Sequence, residues 1–348
     1  MPSLIPLPKQ PESVPWPTLA WPEAPPPDGV DRLALDELLD ATFSEPQPAT
    51  TVRTNELLVV HRGRIVAERY RKGVGPEDTQ PSWSMAKSIL HAMVGVLVRD
   101  GLLDVSQRAA VPEWQEPGDP RAAITLDSLL HMTSGLRFVE DYVDDQASDV
   151  FKMLLPPDVE DTGAFAASFP LDHPPDTVSN YSSGTSNIVS AIVKRIVGPG
   201  DDYLAFLRRE LFDRIGMVSA KPRIDASGTW IGSSFCFCTP RDFARFGLLY
   251  LRDGVWDGER ILPEGWVDYA RTPAPVQPDE PDRGYGAHWW LLKDDDFGSF
   301  FASGYAGQMI MLVPALDLII VRNGETPVER RQHVMALVRR IIGLFGAV

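Results

Sequence analysis

The sequence predicts an α/β (α+β) fold in which one sheet, supplied by both ends of the chain, is flanked by helices and carries a helical subdomain inserted between its halves. Three observations lead there. β-type runs occur at residues 56–70 and again at 285–322, whereas the stretch from 103 to 225 is almost free of them. A chain of 348 residues with 44% hydrophobic content can also bury a core large enough for one big domain or two intimate subdomains. The expected division is a Pro-rich arm at 1–30, a discontinuous α/β subdomain at 31–102 and 226–348, and a helical subdomain at 103–225.

In chain order, the prolines of the first thirty residues favour an extended surface arm. Asp31 opens an amphipathic helix reaching about Thr42. Runs at 56–61 and 64–70 flank Arg62-Gly63 and read as a hairpin, which leads into an apolar helix beginning at Ser84 and ending near Asp100-Gly101. The middle segment has apolar helical runs at 126–130, 188–197 and 203–215. After Gly228 a strand-like piece carries Cys236 and Cys238, and a helix over 240–251 has Phe243, Phe246, Leu248, Leu249 and Tyr250 on its apolar side. Strands are expected at 285–292, 299–303, 308–313 and 316–322, then a final amphipathic helix over about 328–344. No internal repeat is visible.

Composition narrows the function classes. A formal charge of −15 argues against nucleic acid and anionic membrane as partners. The N-terminal thirty residues lack a basic start followed by an apolar run, and no stretch approaches about 18 uninterrupted apolar residues, so a cytoplasmic location is expected. Two cysteines two apart on one strand rarely bridge, which suits buried thiols in a reducing compartment. The six histidines are scattered and the Cys pair lacks the second half of a zinc site, so neither metal nor cofactor is expected. Oligomeric state is left open, a homodimer being the commonest assembly a priori.

The chemistry concentrates in Ser84-Met85-Ala86-Lys87, set before a long apolar helix. Serine and lysine three apart share one helix face, with Cβ atoms about 5–6 Å apart, so the amine reaches the hydroxyl. The positive end of the helix favours an alkoxide and pushes the lysine toward its neutral, basic form. Such a pair supports acyl transfer. Tyr181, in Asn180-Tyr181-Ser182-Ser183-Gly184, is a second candidate, because a phenol beside a cation can exchange a proton with the serine. Ser183 falls where a short side chain reaches the lysine. A third piece, Ser303-Gly304-Tyr305-Ala306-Gly307-Gln308, reads as a glycine-bearing strand whose backbone N–H groups can hold an oxyanion. Trp289 and Trp290 are candidates for an apolar acyl pocket, one of them facing away because strand side chains alternate. The acidic residues Glu140, Asp141, Asp144, Asp145 and Asp149 read as a solvated loop, with reception of a substrate ammonium group as the other reading.

These pieces, in this order, resemble the serine β-lactamase and penicillin-binding protein superfamily, and in wording its class C branch of esterases and amidases, which includes the 6-aminohexanoate-dimer (nylon-oligomer) hydrolases. Leu-Leu-His-Met-Thr-Ser-Gly-Leu at 129–136, Thr-Pro-Arg-Asp-Phe-Ala-Arg-Phe-Gly at 239–247, and Trp-Asp-Gly at 256–258 followed by Ile-Leu-Pro at 261–263 support the likeness, which covers roughly residues 50–345. The resemblance implies a β-lactamase/transpeptidase-like fold with an antiparallel sheet and an active site in the cleft between the subdomains. Ser84 would be the acylated nucleophile, Lys87 its proton acceptor or electrostatic partner, and Tyr181 the general base and acid. The backbone N–H groups of Ser84 and Gln308 would form the oxyanion hole. Tyr142 resembles a mobile-loop tyrosine that closes over substrate, and Tyr305 and Gly307 would face the substrate.

One departure bears on substrate. The family's β-lactamases and peptidases carry Lys-Thr-Gly or a close variant where this chain has Tyr305-Ala306-Gly307, with no cation to bind a carboxylate. A small ester or amide, uncharged or cationic, is therefore expected as substrate ahead of the β-lactamase or DD-peptidase alternative. A noncatalytic binding protein of the same fold is the alternative outside enzymes. The chain lacks the G-x-S-x-G elbow of α/β-hydrolases.

Overall fold

The computed structural model describes residues 4–44, 52–142, 146–155 and 159–347. The Asp31 carboxylate accepts from the Ala34 N–H and caps α1 (Arg32–Phe43). The hairpin of β1 (Arg53–His61) and β2 (Arg64–Tyr70) turns on Arg62 and Gly63, at φ 49° and 74°, the backbone that a two-residue turn between twisted strands requires. β3 (Gln80–Pro81) then leads into α2 (Met85–Arg99). The middle of the chain holds α3 (Leu126–Leu130), α4 (Asp149–Leu154), α5 (Thr162–Ala167), α6 (Ser183–Val197), α7 (Asp201–Leu207), α8 (Asp213–Ile215) and β4 (Lys221–Pro222). Next come β5 (Cys236–Cys238), α9 (Pro240–Leu251), β6 (Val255–Trp256), β7 (Glu259–Arg260) and α10 (Trp266–Arg271). The C-terminal part supplies β8 (Arg283–Tyr285), β9 (Trp290–Leu292), β10 (Phe300–Gly304), β11 (Gln308–Val313), β12 (Leu318–Glu325) and α11 (Arg331–Gly346).

Among the described residues one antiparallel sheet of seven strands runs β2-β1-β12-β11-β10-β9-β8, and β1 pairs with β12 along its length, so the two ends of the chain share one sheet. Strand alternation sorts its side chains. Leu58, Val60, Ile310, Leu312, Ile319 and Val321 enter the core that α2 and α9 complete, whereas Leu57, Val59, Met311, Val313, Leu318 and Ile320 pack against α1 and α11. Every residue of α2 from Met85 to Leu97 is buried, including Lys87, Ser88 and His91. A helix covered all round takes Lys87 out of bulk solvent, while Ser84 just before it is half-buried.

Several elements depart from the expected ones. The run 285–292 is two strands, because Gly286 sits against the Ala270 carbonyl, where an added Cβ would come within 2.0 Å, and His288 at φ 55° sends its N–H to the Leu130 carbonyl. The run 203–215 is divided by a π-turn at Arg208–Phe212 and stops at Gly216, whose φ of 75° suits glycine. The last strand begins at Leu318 rather than 316, after a 3₁₀ turn at Pro314–Leu316. Residues 4–30 lie along the α/β part, with Val14, Trp21 and Val30 buried, and Glu23 forms a parallel bridge with Ile65. Both cysteines are free and buried, with Sγ atoms 3.6 Å apart. Among the described residues no helix is long and apolar enough to cross a membrane.

Candidate active site

Ser84 stands at the N-cap of α2 but makes no side-chain capping bond, which leaves its hydroxyl for other partners. Lys87, one turn on and 1% exposed, places Nζ 3.0 Å from Ser84 Oγ, 3.0 Å from Ser183 Oγ and 2.9 Å from the Ser233 carbonyl. The proton count matters. The Ser233 carbonyl can only accept, and Ser183 gives its own hydroxyl proton to Glu140 Oε1 at 2.8 Å, so it also accepts from the lysine. Two N–H bonds are thereby committed, and the third position faces Ser84. As a neutral amine Lys87 presents its lone pair there, ready for the serine proton. Burial lowers its pKa from 10.5 to about 8, partly countered by the Glu140 charge.

Tyr181 precedes α6, and Asn180 pins its loop by donating to the Leu136 and Phe138 carbonyls at 3.2 Å each. The Lys87 ammonium lies 4.9 Å from the Tyr181 ring centroid. Burial, then the Glu140 charge, hold the phenol well above its ordinary pKa, against the opposing effects of Ser84, Arg283 and Trp290. A phenol held protonated can give a proton, and Lys87 Nζ is the amine beside Ser84 Oγ.

The expected strand 303–308 is instead a hairpin: β10 ends at Gly304, Tyr305–Gly307 make a 3₁₀ turn, and β11 starts at Gln308. β9 pairs only with Phe300 and Phe301, so the Ala302–Gly304 end of β10 is an open edge. Gly304, cross-strand partner of Gln308, lies where an added Cβ would be 2.3 Å from the Ser82 carbonyl and 3.1 Å from Trp83 Cβ. Its lack of a side chain lets this edge lie close against the backbone of Ser82 and Trp83, next to Ser84. Gly304→Ala is therefore expected to cost about 1–3 kcal/mol in stability and to slow Ser84 chemistry, measurable by urea unfolding and by the rate of covalent labelling. An unchanged labelling rate would rule out this close approach as a requirement.

Aromatic rings line the approach to the serine. Tyr305, 36% exposed, stacks on Tyr142 at 5.0 Å and meets Trp83 edge-on at 5.4 Å, while Trp83 lies 5.5 Å from Phe235. Trp83 adopts φ 44°, a conformation that costs a bulky residue roughly 1–3 kcal/mol and is maintained here next to Ser84. Two expected substrate contacts are corrected. Gly307, at φ 81°, turns toward Arg322 and Val334, where a Cβ would meet Arg322 Nη1 at 2.6 Å. Trp289 is fully buried against Tyr250, Phe300 and Phe246, because alternation in the short strand sends Trp290 to the site side, 5.2 Å from the Tyr181 ring.

The acidic segment also differs from the expected solvated loop. Glu140 accepts from the Ser183 N–H at 2.5 Å and from the Ser183 and Tyr142 hydroxyls, and Asp149 is buried and accepts from the Val139 N–H at 2.9 Å. Asp144 and Asp145 lie outside the described residues. Ser233 and His288 were not assigned to the site from sequence; Trp290 was one of two acyl-pocket candidates, and Glu140 entered only within the acidic cluster. The only trace of Glu140 was its acidic neighbourhood, since its partner Ser183 is 43 residues away. His288 Nδ1 lies 3.1 Å from the Lys87 carbonyl, so that nitrogen carries the proton, and Nε2 accepts from Ser186 at 3.3 Å. Burial, then the Lys87 charge, push His288 down to about 3 and keep it neutral. Among the described residues no group of three or more His, Cys, Asp or Glu side chains is arranged to hold a metal.

A family model described as Beta-lactamase matches residues 39–339. The chain is similar to the 6-aminohexanoate-dimer hydrolase of Paenarthrobacter ureafaciens, with 28% identity over 299 residues, 80% of this chain and 74% of the relative. Its fold is similar to that of a Bacillus anthracis protein described as a candidate 6-aminohexanoate-dimer hydrolase, with a TM-score of 0.74 and 22% identity over 96% of this chain and 89% of that one. It is also similar in fold to a D-stereospecific amidohydrolase from a Streptomyces species, with a TM-score of 0.63 and 17% identity over 85% of this chain and 94% of that one.

Proposed function

The chain belongs to the β-lactamase family and has its fold, and from that premise we propose that it is a serine hydrolase cleaving small esters or amides through an acyl-enzyme on Ser84. The observation that carries this reading is the buried Lys87 amine, its two donors held by Ser183 and Ser233 and its third position on Ser84 Oγ. In the proposed reaction Lys87 takes the Ser84 hydroxyl proton as Oγ attacks the substrate carbonyl carbon. The oxyanion that forms lies against the N–H groups of Ser84 and Gln308, a contribution worth about 10²–10³ in rate per donor. As the tetrahedral adduct collapses, the bond to the leaving oxygen or nitrogen breaks and that atom takes the Tyr181 proton, which Lys87 then replaces. Water repeats the sequence on the acyl-enzyme and releases the acid.

The substrate class follows from the rings. Trp83, Tyr305, Tyr142 and Phe235 offer apolar and aromatic surface, and Tyr305-Ala306-Gly307 supplies no cation for a carboxylate. An uncharged or cationic ester or amide suits that surface better than a β-lactam acid, and the likeness to the Paenarthrobacter hydrolase supports amide cleavage. Intact-protein mass spectrometry with a fluorophosphonate and with p-nitrophenyl butyrate tests the reading. The expected result is a single adduct on the peptide carrying Ser84, absent from Ser84→Ala. Well-folded protein that gives neither adduct nor nitrophenol would refute it.

A further inference from the structure

Glu140 occupies a junction that the proposed chemistry does not use. Its carboxylate accepts from the Ser183 N–H and hydroxyl on one side and from the Tyr142 hydroxyl on the other. Ser183 in turn holds Lys87, and Tyr142 stacks on Tyr305 in the aromatic wall. We propose that Glu140 is a positioning residue whose carboxylate ties Tyr142 to Lys87 through Ser183, so that one group holds both the aromatic wall and the lysine amine in place. This inference rests on the Ser84 hydrolase reading.

The electrostatics agree with the geometry. Around Lys87 stand Ser84 on its own helix, Glu140 and Tyr142 from the segment before α4, Tyr181 and Ser183 at the start of α6, the Ser233 carbonyl before β5, and His288 between β8 and β9. Of these, Glu140 is the one whose charge raises the pKa of Lys87, and it also raises those of Tyr181 and Tyr142.

Glu140→Gln keeps the size and removes the charge. The expected result is that the acid limb of Ser84 labelling by the fluorophosphonate moves to lower pH by about 1 unit, while KM for an aromatic ester rises several-fold because Tyr142 is no longer held. Tyr142→Phe is expected to raise KM without moving the limb, and Glu140→Asp to restore part of both effects. A Glu140→Gln protein with a uniformly lower rate and an unshifted limb would overturn the inference, reducing Glu140 to a packing role. Absence of labelling in the parent protein is a separate outcome that removes the hydrolase reading itself.

Discussion

Replacing Lys87 by methionine is expected to lower turnover by about 10⁴-fold or more while raising the stability of the folded chain at neutral pH. The two effects have one cause. The amine is useful because it is buried without a directly paired carboxylate, and that burial lowers its pKa from 10.5 to about 8. The folded chain then holds the lysine proton less tightly than the unfolded chain does. Below pH 8 Lys87 therefore subtracts on the order of 3 kcal/mol from stability. The penalty fades as pH rises from about 8 toward 10.5, where the unfolded chain loses the same proton. Methionine, of similar length and without charge, removes the penalty, although Ser183 and the Ser233 carbonyl lose a donor and offset part of the gain. Urea midpoints of parent and variant should differ most at neutral pH and converge toward pH 10.5. Parallel curves would show that Lys87 carries no such penalty. Adding Ser84→Ala to the variant is expected to cost little more activity, as befits groups that act as a unit.

Arg322→Leu is expected to cost about 3–5 kcal/mol of stability and to slow Ser84 labelling in the fraction that stays folded. The guanidinium is fully buried in β12 and pairs with no carboxylate among the described residues. Burial alone pulls its pKa down from 12.5 to about 9. Its compensation is a set of five donated bonds, to Thr54 Oγ1 at 3.2 Å, to the carbonyls of Ala306, Gly307 and Arg53 at 3.1, 2.9 and 2.8 Å, and to Thr326 Oγ1 at 2.8 Å. Two of those carbonyls belong to the turn that sets Gln308 at the head of β11. Leucine would leave these acceptors buried without a donor and release the turn beside the proposed oxyanion site. Arg322→Lys, with the charge but not the fork, should fall between leucine and the parent. Chemical unfolding gives the stability term and adduct formation per folded molecule gives the second. A loss below about 1 kcal/mol would mean that the turn holds itself.

The Ser84–Lys87 pair was legible because it is local: residues three apart at a helix start meet whatever surrounds them. The hairpin, α2, α3, α9 and the terminal strands were legible for the same reason, since strand alternation, helical spacing and apolar runs are patterns of neighbouring residues. The order of Ser84, Tyr181 and Gln308 along the chain also sufficed to suggest the family, which the match over residues 39–339 bears out. Failures of sequence reading have a common origin. The run 285–292 has the composition of one strand, yet contacts from Ala270 and Leu130, far away in sequence, divide it. That division puts Trp290 rather than Trp289 beside Tyr181.

The sequence by itself determined which residues can carry the chemistry, because residue type and helical or strand period are properties of neighbouring positions. Only the tertiary structure decided their protonation and partners. Burial lowers the pKa of Lys87 and raises that of Tyr181, Glu140 reaches Ser183 across 43 residues, and Arg322 reaches back to Arg53 across 269. Desolvation and long-range hydrogen bonds depend on what the folded chain excludes and brings together, and neither quantity exists until the sheet has closed between the two ends of the chain.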